Sequence, residues 1–155
     1  MDFDDFTLAR VVHVCAVVAW VGSLWFVALA LLPAVKASQP PEARMAYIRP
    51  LIRGQVLQSQ VWLVLMGLTG LWMLWRGDLW ARLGDGRFWW MQLMVAVWLV
   101  FAVILFVLEP LSRHRPRPDG DPDVAFGKEV ARHRVLSLVA LVTLVASLAG
   151  SHGLI

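Results

Sequence analysis

Four long stretches without a charged side chain constrain this chain more than any other feature. They are residues 11–35, 55–75, 88–108 and 135–155, each between 21 and 25 residues long. A helix of about 20 apolar residues crosses a hydrocarbon core roughly 30 Å thick, and in lipid every backbone polar group must be paired. Amphipathic helices of a soluble bundle would instead carry charges on one face. The sequence therefore predicts an all-α, integral membrane bundle of four transmembrane helices.

Composition agrees with a single transmembrane domain whose main partner is the lipid bilayer. Hydrophobic residues make up 59% of the 155 residues and charged residues 16%, against about 25% charged residues in soluble proteins. The spans are predicted at about residues 8–35, 55–76, 88–110 and 134–155. The chain has no phosphate-binding glycine loop, nucleophile motif or zinc-ligand spacing, which argues against a hydrolase or a nucleotide-using enzyme.

The basic residues are distributed unequally between the two sides of the predicted bundle. Residues 36–54 and 109–134 carry ten of the fourteen Lys and Arg residues. The other four are Arg10, Arg76, Arg82 and Arg87. Because basic loops stay in the cytoplasm, we expect both termini on the periplasmic side of a bacterial inner membrane. This asymmetry accounts for the net charge of +3, so no nucleic-acid partner is expected.

The sequence predicts what two short segments contact, one before the second span and one within the first. Residues 41–44 are predicted to begin a short interfacial helix. Its lipid-facing residues would be Met45, Ile48 and Ile52. Four small residues of the first span share a face suited to close helix packing. They are Cys15, Ala19, Gly22 and Ser23.

Polar and sulfur-containing side chains within the spans are the candidates for chemistry, because burying polar groups in a membrane is costly. Five lie at matching depth near the outer end of their spans: His13, Met73, Met91, Met94 and His152. Imidazole binds copper and haem iron, and thioether selects Cu(I) or serves as an axial haem ligand. All five are therefore candidate ligands of a copper ion, while His13 and His152 could ligate haem b from both sides.

Each of these residues also has a structural interpretation. His13 could be a residue that hydrogen-bonds between helices, and His152 could lie in the headgroup layer. Methionines at helical spacing are commonly packing residues of a core. Two further histidines, His114 and His133, are flanked by arginines and are predicted to be solvated or lipid-facing.

The first span carries a resemblance to a known family. The run from Leu8 through His13 to Trp20, followed by Gly22-Ser23 and closed by Leu31-Leu-Pro33-Ala34, resembles the copper-resistance protein D family of inner-membrane proteins. The run Leu68-Thr-Gly70-Leu-Trp72 fits the second span of that family. Where the family has a Gly-Gly pair after the Trp, this chain has Gly22-Ser23. The resemblance implies a four-helix unit linked to copper uptake or tolerance.

A second resemblance involves nearly the same positions. His13, Trp20 and the segment 67–72 also resemble the small haem-containing membrane type of protoporphyrinogen oxidase. That family carries a characteristic Lys in its third span, where the nearest position here is Gln92. The two resemblances together imply copper or haem b as the cofactor, and both would use His13.

Three functions are therefore open from the sequence. The favoured one is an inner-membrane copper-handling protein, with a periplasmic copper protein as a further partner. The second is a haem-b redox protein, either an electron carrier or a quinone-linked oxidase. The third is a structural membrane subunit without a cofactor. The sequence leaves undecided whether the protein is an enzyme, and it is compatible with a homo-oligomer.

Overall fold

The computed structural model describes residues 4–112 and 121–154 and confirms the all-α fold. Within these residues, four helical segments are long and apolar enough to cross a membrane. The segments are Asp5–Ser38, Pro41–Arg76, Gly86–Leu111 and Pro122–Ser151. The prediction of a four-helix membrane bundle therefore holds for the architecture.

Seven α-helices, two π-helical turns and one 3₁₀ turn make up the described chain. In order they are α1 (Asp5–Phe26), a π turn (Val27–Leu31), α2 (Leu32–Ser38), α3 (Pro41–Arg76), α4 (Trp80–Leu83), a 3₁₀ turn (Gly86–Phe88), α5 (Trp89–Val103), a second π turn (Ile104–Leu108), α6 (Glu109–Ser112) and α7 (Pro122–Ser151).

Neighbouring segments alternate in direction, so the bundle has two distinct ends. At one end Asp5 of α1 pairs with Arg76 of α3, with 3.0 Å between carboxylate and guanidinium, and the Trp90 ring of α5 lies against Gly150 of α7. We call this the terminal end, because α1 begins and α7 ends there. The opposite end, where Gln39-Pro40 joins α2 to α3 and where α7 begins, is the loop end.

The core of the bundle lies between α1, α3, α5 and α7. Its buried members include Trp20, Leu63, Met66, Phe101 and Ala140. Trp20 and Phe101 meet edge to face, with ring centroids 4.6 Å apart, a geometry that aromatic pairs prefer.

Helix α3 is longer than a membrane crossing requires. Its 36 residues correspond to about 54 Å at 1.5 Å per residue, so its first turns project past the span at the loop end. There Ile48 is fully buried in a second cluster with Val27, Leu32, Val35 and Phe126. The prediction of a separate interfacial helix with Ile48 facing lipid was therefore wrong, since this segment continues α3 and packs against α2 and α7.

Arg44 ties the three helices together at the loop end. Its guanidinium donates to the Gln39 carbonyl at 3.0 Å and to the Lys36 carbonyl at 3.1 Å, pairs with Asp123 of α7, and lies over the Phe126 ring. These bonds supply partners for carbonyls at the end of α2, which have none within the helix.

Side chains also bond to backbone carbonyls beside the two π turns. Ser137 Oγ of α7 donates to the Leu24 carbonyl at 3.1 Å, just before the first π turn. Gln60 Nε2 of α3 donates to the Leu105 carbonyl, within the second π turn, at 2.9 Å. A π turn interrupts the regular α-helical ladder, and carbonyls within lipid need a partner, so these bonds join the helices while pairing backbone groups.

The small-residue face of α1 is only partly covered within the described residues. Cys15 and Gly22 are exposed, and a Cβ built on Gly22 would meet nothing within 4 Å. The buried face of α1 is formed by Ala16, Trp20 and Leu24. That the small residues serve close helix packing stays a prediction.

Candidate functional site

His13 lies between α1 and α3, near the terminal end of the bundle. Its Nδ1 is 3.0 Å from Thr69 Oγ1, and Thr69 Oγ1 donates to the Leu65 carbonyl at 2.6 Å. The imidazole is half-buried. His13 is thus held by a two-step hydrogen-bond chain that ends on the backbone of the facing helix.

The short contact between Thr69 Oγ1 and the Leu65 carbonyl, 2.6 Å, favours one arrangement of protons. A carbonyl oxygen can only accept, so when the single hydrogen of the Thr69 hydroxyl goes to Leu65, Thr69 Oγ1 accepts from His13. In that arrangement Nδ1 carries the proton and Nε2 carries the lone pair. Metal-ligating histidines almost always donate their other ring N–H to an anchoring oxygen, which fixes both tautomer and orientation.

The imidazole of His13 lies against Gly70 of α3. A Cβ built on Gly70 would lie 3.4 Å from His13 Cε1 and 3.7 Å from Nδ1, which is van der Waals contact. Gly70 therefore marks where the His13 ring of α1 meets α3.

Thr69 was not among the predicted site residues. The available signal was a Thr beside a Gly in an apolar span, since membrane helices use such residues for contacts between helices.

The three methionines predicted as copper ligands lie on α3 and α5. Met73 follows Thr69 by four residues and is therefore on the same face of α3, one turn nearer the terminal end. Met91 and Met94 share a face of α5 with Trp98, whose Nε1 donates to the Leu63 carbonyl of α3 at 2.9 Å. All three methionines are half-buried, so α3 lies beside both the helix carrying His13 and the face carrying Met91 and Met94.

His152 has different surroundings from His13. It is exposed, forms the C-cap of α7, and its Nδ1 lies 2.9 Å from the Leu148 carbonyl and 3.1 Å from Ser151 Oγ. An open apolar groove beside it is lined by Val145, Leu148 and Leu154 of the same segment. His13 faces α3, whereas His152 is exposed at the end of α7.

His133 was predicted to be solvated or lipid-facing, and this prediction was wrong. Only 4% of its surface is exposed, because α7 turns the face carrying Phe126, His133 and Ser137 into the bundle. Its Nδ1 lies 3.1 Å from the Glu129 carbonyl and 3.2 Å from the Glu129 carboxylate. His114 lies outside the described residues.

Asp4 carries a carboxyl group at the terminal end. It is the N-cap of α1, and hydrogen bonds from the Thr7 hydroxyl and backbone N–H lower the pKa of this carboxyl below the ordinary value.

The described residues contain no group of three or more His, Cys, Asp or Glu side chains placed to hold a metal.

Comparison of the chain with family models, with curated proteins and with solved structures finds no match in any of the three. The resemblances to the copper-resistance D family and to the membrane protoporphyrinogen oxidase remain expectations from the sequence. The functional argument therefore rests on the chemistry of the site itself.

Proposed function

We propose that this protein is a copper-handling membrane protein that binds Cu(I) through His13 Nε2. The observation that carries the proposal is the hydrogen-bond chain from His13 Nδ1 through Thr69 to the Leu65 carbonyl. It anchors one ring nitrogen and leaves the other with its lone pair, which is the arrangement of a histidine ligand.

The neighbouring sulfur atoms favour copper as the metal. Cu(I) prefers soft thioether and imidazole ligands. Met73 lies one turn from Thr69, the residue of α3 that bonds to His13. Met91 and Met94 lie on the same face of α5 as Trp98, which bonds to α3. These methionines are the proposed source of the remaining ligands.

The position of His152 supports copper over a bis-histidine haem within one chain. A six-coordinate haem needs axial ligands on opposite faces, and His152 is exposed on an outer face of α7. Cu(I) needs no second histidine, so the surroundings of His13 are sufficient for the proposal.

We also propose that the terminal end faces the periplasm across a bacterial inner membrane. The support is the distribution of basic residues, ten on the loop side against four on the terminal side, because Lys and Arg are retained in cytoplasmic loops. In this orientation the protein would take copper from the periplasmic side, which is compatible with delivery by a periplasmic copper protein.

The test is copper content after purification in detergent. Protein and its His13→Ala variant are loaded with Cu(I) under reducing conditions, competed with a Cu(I) chelator, and measured by elemental analysis. We expect stoichiometric copper in the wild type and loss of most of it in His13→Ala. The matched control, His114→Ala, should retain the wild-type content.

Two results would contradict the proposal. Full copper retention in His13→Ala would reduce His13 to a residue that only joins two helices. A Soret band in the visible spectrum of the purified protein, lost in His13→Ala, would replace copper by haem b at the same histidine.

A further inference from the structure

Four tryptophans of the bundle interior differ in how their indole N–H groups are paired. Trp25 Nε1 donates to the Ser137 carbonyl at 3.2 Å and Trp98 Nε1 to the Leu63 carbonyl at 2.9 Å. Trp20 Nε1 and Trp62 Nε1 are buried and have no acceptor among the residues that the structure describes. Two of these four indole N–H groups are thus hydrogen-bonded to a neighbouring helix, and the other two are buried without an acceptor among the described residues.

The two remaining donors lie at the same level of the bundle. His13 of α1 faces Thr69 of α3, and these helices run in opposite directions. Trp20 follows His13 by seven residues and Trp62 precedes Thr69 by seven, so each lies two turns further toward the loop end on the same helix face. The two indoles therefore lie at the same level, on the faces of α1 and α3 that carry His13 and Thr69.

The surroundings define what these donors can bind. Trp20 is only 5% exposed and packs in the core with Leu63, Met66 and Phe101. A buried N–H without an acceptor is costly in an apolar medium. Residues 11–35 and 55–75 contain no charged side chain, so a charged ligand at this level would itself lack compensation. The site therefore suits a neutral hydrogen-bond acceptor.

We propose that Trp20 and Trp62 form a binding site for a neutral oxygen acceptor in the middle of the bundle. The site lies about 10 Å from His13 along the helix axes, from seven residues at 1.5 Å each, and it does not depend on copper binding there. The oxygen can come from a water molecule or from the carbonyl group of a lipid-soluble molecule, and both use the same two donors.

The test measures the indole N–H groups directly. Protein labelled with ¹⁵N at the tryptophan indoles is placed in lipid nanodiscs, and signals are assigned with Trp20→Phe and Trp62→Phe. We expect the proton shifts of Trp20 and Trp62 to fall in the hydrogen-bonded range of Trp25 and Trp98. Shifts typical of free indole N–H groups at both positions would overturn the proposal.

Two further arms identify the oxygen and guard against misfolding. Magnetisation transfer from water to both N–H groups would identify water, whereas shifts of these two signals on adding a decyl-substituted benzoquinone, with Trp25 and Trp98 unchanged, would identify a carbonyl. If the Phe variants do not fold, the benzothiophene isostere of tryptophan at position 62 removes only the N–H. The isostere should lower the unfolding temperature, and a raised unfolding temperature would contradict the site.

Discussion

Both ends of the bundle have an ion pair between helices, Arg44 with Asp123 and Arg76 with Asp5, but the two ends differ in what lies against their glycines. Toward the loop end, a Cβ built on Gly54 or Gly127 would meet nothing within 4 Å. At the terminal end, a Cβ on Gly150 would overlap the Trp90 ring, and one on Gly70 would contact the His13 ring. Rings packed against glycine therefore characterise the terminal end, where the proposed copper ligand lies.

The largest effect should come from adding a side chain at Gly150, where the Trp90 ring packs against the glycine. A Cβ on Gly150 would overlap the Trp90 ring, so Gly150→Ala should lower the free energy of unfolding by about 1–3 kcal/mol. Gly22→Ala is the control, because its Cβ meets open space, and it should be neutral or slightly stabilising. Thermal unfolding in detergent measures both, and equal effects would remove the distinction between the two glycines.

The second-largest effect should come from removing the Thr69 hydroxyl that bonds to His13, and it should appear in the affinity for copper. Thr69→Val keeps the shape of the side chain but removes the hydroxyl that accepts from Nδ1. Loss of such an anchoring partner weakens metal binding by about 10–100-fold, whereas Thr69→Ser should stay near the wild type. Chelator competition measures the affinities. Unchanged affinity in Thr69→Val would separate the hydrogen-bond chain from the ligand role of His13.

In the middle of the bundle, a lost hydrogen bond should affect stability and leave copper binding unchanged. Ser137→Ala removes the bond to the Leu24 carbonyl, and bonds between membrane helices contribute about 0.6 kcal/mol on average. Ser147→Ala is the matched control, because Ser147 bonds only to Thr143 of its own helix among the described contacts. A change in copper affinity in Ser137→Ala would show that this contact and the copper site do not act separately.

The smallest effect concerns the N-cap of α1. Hydrogen bonds from Thr7 lower the pKa of the Asp4 carboxyl in the folded protein, so ionised Asp4 stabilises the fold above its unfolded pKa of about 3.9 and loses this contribution as the pH falls through the folded pKa. Asp4→Asn keeps a capping side chain without the charge. The unfolding temperature of the wild type should therefore exceed that of Asp4→Asn at pH 7, and the difference should shrink toward pH 3.

The sequence predicted the four long apolar helices because charge and hydropathy mark them. It failed where helices continue into charged segments. Residues 41–54 and 122–134 are rich in charge and resemble loops, yet they continue α3 and α7, so the burial of Ile48 and His133 depends on neighbours that only the fold brings together.

For the candidate site, the direction of the side chains was not predictable from the sequence. The spacing along each span predicts His13 and His152 at a common level, because helical rise is regular, and this stays a prediction. Which way each histidine faces depends on how each helix is rotated against its neighbours. That rotation turned His13 toward Thr69 and left His152 exposed. Thr69 was missed because a single hydroxyl in an apolar span is not distinctive without its partner.

The central claim is that His13 presents an unprotonated Nε2 to Cu(I) while Nδ1 remains bonded to Thr69. Nitrogen NMR of ¹⁵N-histidine-labelled protein in nanodiscs, assigned with His13→Ala, tests it before and after Cu(I) is added. The account predicts an Nδ1-protonated imidazole at neutral pH and a shift of the Nε2 signal on copper binding. A His13 protonated on Nε2, or an Nε2 signal unmoved by stoichiometric Cu(I), would contradict it.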